Sequence, residues 1–468
     1  MLIVLCAALF LDALDVSMVG VALPSIRADL HLSTSSLQWI VSAYVLGYAG
    51  FLLLGGRAAD LLGRRRVFII ALAVFLVAST LGGVVSDGTL LIATRFIKGV
   101  SAAFTAPAGL SIITTTFPEG AVRNKALAVY TATAATGFSL GLVFGGAITE
   151  IGWRWVFFLP APVALAALVG AVRFVPKEDV RRIGGLNGID LVGAVLLTGA
   201  MLLLVFTLVE SATVGWGAAR TIGSFVAVAA ILAAFVVREL RTPAPLVRLG
   251  ILRSSALVRA NLGAMMLFGG WVGFQFIATL YMQQLRGWSA LDTGLAIFPA
   301  GLLVVLLSPG AMKLIGRIGP TWPIAAGLMF TAAAYALFIR TGVHSTYVPA
   351  VLPTVILAGL GFALAFGPLN VAATQGVSAA EQGLAGGLLN TSFQFGGALV
   401  LAVVTAVDRA NTDSATPQGL LNGFHPALVV SVAAATLGAL AVATRFPRRK
   451  AVLAEAGQEE VVAEAEAA

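Results

Sequence analysis

The sequence predicts an all-α integral membrane protein that crosses the bilayer many times. Three observations carry this. Hydrophobic residues make up 59% of the 468 and charged ones 11%, with a mean hydropathy of +0.98, a balance suited to lipid rather than water. Apolar windows of about 20 residues, the length that spans a hydrocarbon core, recur along the whole chain. The Lys and Arg residues between the windows crowd into alternate loops, which is how a polytopic protein encodes its orientation.

Taken in order, the windows fall at 2–23, 36–56, 67–85, 89–113, 126–149, 155–175, 189–209, 221–237, 261–284, 293–312, 321–339, 348–370, 383–406 and 425–444, fourteen in all. The first lacks a basic leader and a small-residue cleavage pattern and carries two aspartates, so it reads as a retained span rather than a signal peptide. Two long connections isolate windows seven and eight. The chain therefore divides into a six-helix bundle at 1–175, a linker with two inserted helices at 176–260, a second six-helix bundle at 261–446, and an acidic, Ala/Glu/Val-rich tail at 447–468 expected to be disordered. Asp60-x-x-Gly63-Arg64 after the second window recurs in shape as Lys313-x-x-Gly316-Arg317 after the tenth, a weak repeat between the bundles.

Of the 29 basic residues, 21 fall in one set of loops and tails, six in the other and two inside a window, which places both termini in the cytoplasm. This distribution explains the net charge of +8 as topology and gives no reason to expect nucleic-acid binding. Cys6 is the sole cysteine, so no internal disulfide forms, and the three histidines are far apart, so no metal site is expected. No Gly-x-x-x-x-Gly-Lys-Ser/Thr loop is present, so energy should come from an ion gradient, with no cofactor.

The most informative residues are four charges inside apolar windows. Asp12 and Asp15 lie one helical turn apart in the first, and Arg95 and Lys98 share the same spacing in the fourth. Ionisable groups at such depths are costly and are retained for function. With Pro24 and Gly88 as outer ends and a rise of about 1.5 Å per residue, Arg95 lies roughly 10 Å deep, Asp15 about 13, Lys98 about 15 and Asp12 about 18. Antiparallel register then pairs Asp15 with Arg95 and Asp12 with Lys98. These four are the candidate proton-coupling residues, because a carboxylate beside a cation in a cavity that alternately wets and dries changes its proton affinity. A static set of ion pairs that only orders the helices is the competing reading.

The loop Gly56-Arg57-Ala58-Ala59-Asp60-Leu61-Leu62-Gly63-Arg64-Arg65-Arg66 resembles the loop between spans 2 and 3 that marks the major facilitator superfamily. The resemblance implies that fold, with Gly56, Arg57, Asp60, Gly63 and Arg64 forming a conformational latch. Leu14-Asp15-Val16-Ser17-Met18-Val19-Gly20-Val21-Ala22-Leu23-Pro24 is similar to the first-span signature of the fourteen-span drug:proton antiporter branch, with Ser17 and Gly20 where Thr and Asn are usual. Arg95 to Ala103 resembles the fourth-span motif, with Lys98 in place of Gln, and Gly137, Gly141, Gly145 and Gly146 resemble the fifth-span antiporter motif, with Leu142 in place of its proline. Trp153-Arg154-Trp155, Tyr281-Met282-Gln283 and Gly383 to Gly397 add to the match. The glycine spacing also has a plain packing explanation, since small residues let helix backbones approach.

Within that fold Tyr44, Tyr48, Trp271, Gln275, Asn370, Asn390, Phe393 and Gln394 are candidates to line a central cavity, offering aromatic faces and hydrogen bonds to an amphipathic solute. The resemblance implies a proton-coupled exporter of drug-like or antibiotic molecules, monomeric, in the plasma membrane. Uptake or exchange of a small metabolite is the alternative within transport. A membrane-embedded transferase is the alternative outside it, though no nucleophile, base and acid set supports an enzyme.

Overall fold

The structure, a computed structural model, describes residues 1–117, 121–176, 190–242, 249–375, 377, 382–414 and 416–443, and within its helices some side chains, including those of Arg57 and Asp60, fall outside the described set. The tail at 447–468 and most of the connection after residue 176 fall outside it as well. The described residues are mostly helical and contain no strand. The helices are α1 (Leu2–Leu30), α2 (Thr34–Leu62), α3 (Arg64–Val84), α4 (Gly88–Thr116), α5 (Ala121–Ile151), α6 (Trp155–Phe158), α7 (Pro160–Phe174), α8 (Leu191–Val214), α9 (Ala219–Arg241), α10 (Ser255–Leu280), α11 (Ala290–Ile318), α12 (Thr321–Phe338), α13 (Leu352–Thr374), α14 (Gln382–Asn411) and α15 (Pro417–Ala443). With α6 and α7 taken as one broken span, each of the fourteen windows has a helix. Eleven stretches among the described residues are long and apolar enough to cross a membrane, and α2, α5 and α8 carry shorter apolar runs at 36–52, 136–151 and 192–208.

Two window ends differ from the expectation. Pro24 does not close the first span: α1 continues six residues beyond it to Leu30 and stops at His31, whose φ of 50° is left-handed. A proline inside a buried helix forfeits one backbone bond, which packed neighbours tolerate. At the far end of α10 the chain widens into a π-helical turn, Tyr281–Leu285, before Trp288 N–H closes it on Met282 O at 2.9 Å. Local capping fixes several starts: Asp87 accepts Leu90 N–H at 2.9 Å to begin α4, and Ser289 and Asp292 form a reciprocal capping box on α11.

Helix α1 packs along α5 and α2 along α4, while α3 covers α4 and α7. In the later half α10 packs on α14 and α15, and α13 on α11 and α12. The halves meet through α5 with α11, α2 with α14 and α1 with α10. Backbone approach sets the α2–α4 crossing: a Cβ on Gly99 would strike Tyr44 backbone, its Cα at 3.0 Å. Helix α8 lies against α2 and α14 and carries α9 on its outer side. Thr198 Oγ1 donates to Gly50 O at 2.7 Å, fastening α8 to α2. Asp190 caps α8 by accepting Gly193 N–H at 3.0 Å and ties it to the end of α9 through Arg238 Nε at 3.1 Å and Thr242 Oγ1 at 3.2 Å. Burial pushes this carboxyl up, and those donors more than offset it, holding it below its ordinary value.

Candidate functional site

Asp12 and Asp15 share the buried face of α1, and Arg95 and Lys98 enter from α4, all four almost without solvent exposure. Arg95 Nη1 donates to Asp15 Oδ2 and Lys98 Nζ to Asp15 Oδ1, so both cations close on one carboxylate. The guanidinium is held further by Nε donating to Ile40 O at 3.2 Å and by the Tyr44 ring, 4.6 Å from its carbon. The ammonium sits 3.1 Å from Ser79 Oγ and 4.7 Å from the centre of the Phe75 ring, and Ser79 in turn donates to Phe157 O at 2.7 Å.

The expected pairing of Asp12 with Lys98 does not form. Asp12 Oδ2 is buried without a hydrogen-bond partner. The physical reason lies in the depths themselves, which put Asp15 between the two cations. A lysine's four-carbon stem spans the remaining offset, and a carboxylate with two free oxygens accepts both.

Beside this triad lies a cavity of about 40 Å³ lined from both halves of the chain, by Tyr44, Arg95 and Gly20 on one side and Gln275, Gln394 and Phe276 on the other, among further apolar residues. Tyr44 Oη and Gln275 Nε2 are buried there without partners. The volume admits a few water molecules, not a drug-sized solute. Gly20, at the position where the branch usually has Asn, has a local explanation: a Cβ there would stand 2.9 Å from Gln275 Nε2.

Three of the eight cavity candidates, Tyr44, Gln275 and Gln394, reach this lining. Tyr48 meets the edge of the Tyr44 ring at 6.2 Å, and Trp271 packs among Phe138, Phe274 and Phe362. Phe393 packs on Phe268 and Phe366. Asn370 and Asn390 turn their amides back onto their own helices, donating to Phe366 O at 2.8 Å and Gly386 O at 3.0 Å. The sequence reading missed Ser79 and Phe75 beneath Lys98 and the apolar liners Val16, Val19, Val41 and Val272. A hydroxyl in mid-span was the one available signal, at Ser79.

Gly63 joins α2 to α3 at a φ of 96°, a conformation that favours glycine, and Gly56 faces Pro107. Arg64 opens α3 and lines a small hollow with Thr115, Thr116 and Pro176. The Arg57 and Asp60 side chains, the centre of the expected latch, lie outside the described residues. The fifth-span glycines divide their work: Gly137, Gly141 and Gly145 admit the α1 backbone at Phe10, Leu14 and Met18, whereas Gly146 faces Ala290 and Leu291 of α11. At this same end Gln283 Nε2 donates to Val21 O at 2.9 Å, Arg27 Nη1 to Gln284 Oε1 at 3.2 Å, and Leu291 N–H to Glu150 Oε1 at 3.2 Å. The two halves are thus tied together at the end opposite the Gly63 turn.

Known proteins are similar in sequence or in architecture. The chain is 36% identical to a puromycin resistance protein of Streptomyces alboniger over 457 residues, covering 94% of this chain and 89% of the relative. It is 36% identical to a cephamycin export protein of Amycolatopsis lactamdurans over 431 residues, covering 92% and 88%, and 31% identical to a tetracenomycin C resistance and export protein of Streptomyces glaucescens, covering 86% and 74%. Among solved structures, a peptide transporter in complex with alafosfalin superposes with a TM-score of 0.70 at 17% identity over 96% of this chain and 95% of that one. A D-xylose–proton symporter does so at 0.68 and 15% identity over 96% and 98%, which speaks to the fold alone. The sequence profile described as Major Facilitator Superfamily matches residues 5–401, and the chain belongs to that superfamily.

Proposed function

We propose that this protein exports drug-like or antibiotic small molecules across the plasma membrane by proton antiport and alternating access. One observation carries the proposal: a buried set of charges, Asp12, Asp15, Arg95 and Lys98, reaches through Arg95 a small cavity shared by both halves of the chain. Charges kept in hydrocarbon beside a solute cavity are the parts a gradient-driven pump needs. The export proteins among the relatives support the outward direction. In this reading the chain has fourteen spans, arranged as bundles at 1–175 and 261–446 with the inserted pair at 176–260 between them. It works as a monomer with both termini in the cytoplasm and needs no cofactor beyond the proton gradient. With that orientation, the ties between the halves at the end opposite the Gly63 turn close the described conformation to the outside. The glycines of α5 and the α2–α3 turn, with Arg57, Asp60 and Arg64, are the parts that seal and release the two ends.

Everted membrane vesicles test this. With an acid interior they should accumulate puromycin or tetracenomycin C, the compounds named for two relatives, and lose it when nigericin collapses the pH gradient. Accumulation of any compound that persists without the gradient, or a wild-type protein that moves none of a broad panel, would sink the proposal.

A further inference from the structure

We propose that Asp12 is the group that takes up and releases the transported proton, and that Asp15 is a fixed counter-ion that stays ionised throughout the cycle. This rests on the reading of the chain as a proton-driven exporter, and it divides labour that the sequence left shared between the two acids.

The basis is the unequal partnering of two carboxylates one helical turn apart. Each oxygen of Asp15 holds a cation, Arg95 on Oδ2 and Lys98 on Oδ1. Both cations are themselves immobilised, by Ile40 O, the Tyr44 ring, Ser79 and Phe75. A proton placed on Asp15 would break two ion pairs at once and strand two positive charges that are almost without solvent exposure. Asp12 has the opposite setting. It is 7% exposed, its Oδ2 has no hydrogen-bond partner, and no cation closes on it among the described residues.

Among the described residues, the charged and titratable groups facing Asp12 come from four helices. Asp15 is its neighbour on α1, Lys98 lies on α4, and Tyr44 and Tyr48 of α2 and Tyr130 of α5 complete the surround. Lys98 is already committed to Asp15, and the three phenols are neutral at physiological pH. A proton therefore reaches Asp12 from water on one side of the membrane, forms an O–H bond on a free oxygen, and leaves to water on the other side without disturbing an ion pair. Its arrival changes the local charge. The Asp15–Arg95–Lys98 triad carries one net positive charge, which an ionised Asp12 cancels and a protonated Asp12 leaves exposed to the cavity that Arg95 lines. A bound solute thus experiences the proton through the field of a triad that itself never titrates.

Two measurements on the full-length protein test this together. Infrared difference spectra of purified wild type between acid and alkaline pH should show the carbonyl band of a buried carboxylic acid that titrates. Asp12→Asn should remove that band and Asp15→Asn should keep it. In everted vesicles Asp12→Asn should lose gradient-driven accumulation of puromycin while puromycin still equilibrates down its own gradient, and Asp12→Glu should restore driven accumulation. Persistence of the titrating band in Asp12→Asn, or its loss in a folded Asp15→Asn, overturns the assignment and leaves the export reading intact. A wild type without gradient-driven movement of puromycin or the wider panel overturns both.

Discussion

Neutralising Asp15 should destabilise this protein far more than neutralising Lys98, although the two form one ion pair. At a pH where Asp12 is protonated, Asp15→Asn preserves shape but leaves Arg95 and Lys98, 2% and 0% exposed, facing each other without an anion. Removing one member of a buried pair costs about 3–5 kcal/mol, and here one substitution leaves two cations uncompensated, so the loss should sit at the upper end of that range. Lys98→Gln instead removes the surplus charge of a two-to-one cluster. It forfeits the ion pair with Asp15, whose carboxylate keeps Arg95, together with the bond to Ser79, worth about 1 kcal/mol, and the ring contact with Phe75, worth about 1 kcal/mol. It also relieves a desolvation penalty of several kcal/mol, so the net loss should be smaller than for Asp15→Asn. The double variant should be more stable than Asp15→Asn alone, with a coupling of about 0.5–3 kcal/mol. Thermal midpoints of the four purified proteins in one detergent, followed by the fluorescence of the seven tryptophans, supply the comparison. If Lys98→Gln destabilises as much as Asp15→Asn, the cluster is not carrying a surplus cation and the reasoning fails.

Further outcomes are expected elsewhere. Gly146→Val places a Cβ 2.6 Å from Ala290 O and should force α5 from α11, read as a longer distance between spin labels at positions 150 and 292 and as lost transport. An unchanged distance would remove the glycine from that seam. Tyr44→Phe keeps the ring over Arg95 and removes a hydroxyl that has no partner, so stability should hold while KM for a carbonyl-bearing substrate rises by roughly fivefold, about 1 kcal/mol of lost hydrogen bonding, at an unchanged maximal rate. Equal KM values would show that this hydroxyl does not meet solute. Asp190→Ala should cost about 1 kcal/mol through the lost cap. Because the folded protein holds this carboxyl below its ordinary value, its contribution is complete above about pH 4 and fades as pH falls further, so thermal midpoints of variant and wild type should converge in acid.

The buried charges were legible in the sequence because Asp12, Asp15, Arg95 and Lys98 have no solvent-side explanation inside apolar windows. Their pairing was not, since helix pitch locates a Cα to about an ångström while a lysine tip ranges over several. Helix identity was legible from hydropathy, and the end of α1 was not, because Pro24 looks like a stop and is accommodated by packing. Of the polar cavity candidates, Asn370 and Asn390 resemble Gln275 and Gln394 in sequence. Whether an amide faces the cavity or its own preceding carbonyl depends on helix rotation, which neighbouring helices fix. Val16 and Val41 were invisible for a different reason: a valine facing the cavity and one facing lipid satisfy the same hydropathy.

The meeting of Gly20 with Gln275 reaches beyond this one chain. An asparagine at position 20 would displace the Gln275 amide, the far end of a flexible side chain, so the two positions, in opposite halves of the sequence, have to be accommodated together. Chimeras that join the first half of this protein to the second half of an asparagine-bearing relative should assemble, since glycine only leaves a hole. The reciprocal exchange requires the Gln275 amide to swing aside, so a lower yield of folded hybrid, restored by Gln275→Ala, is the expected outcome.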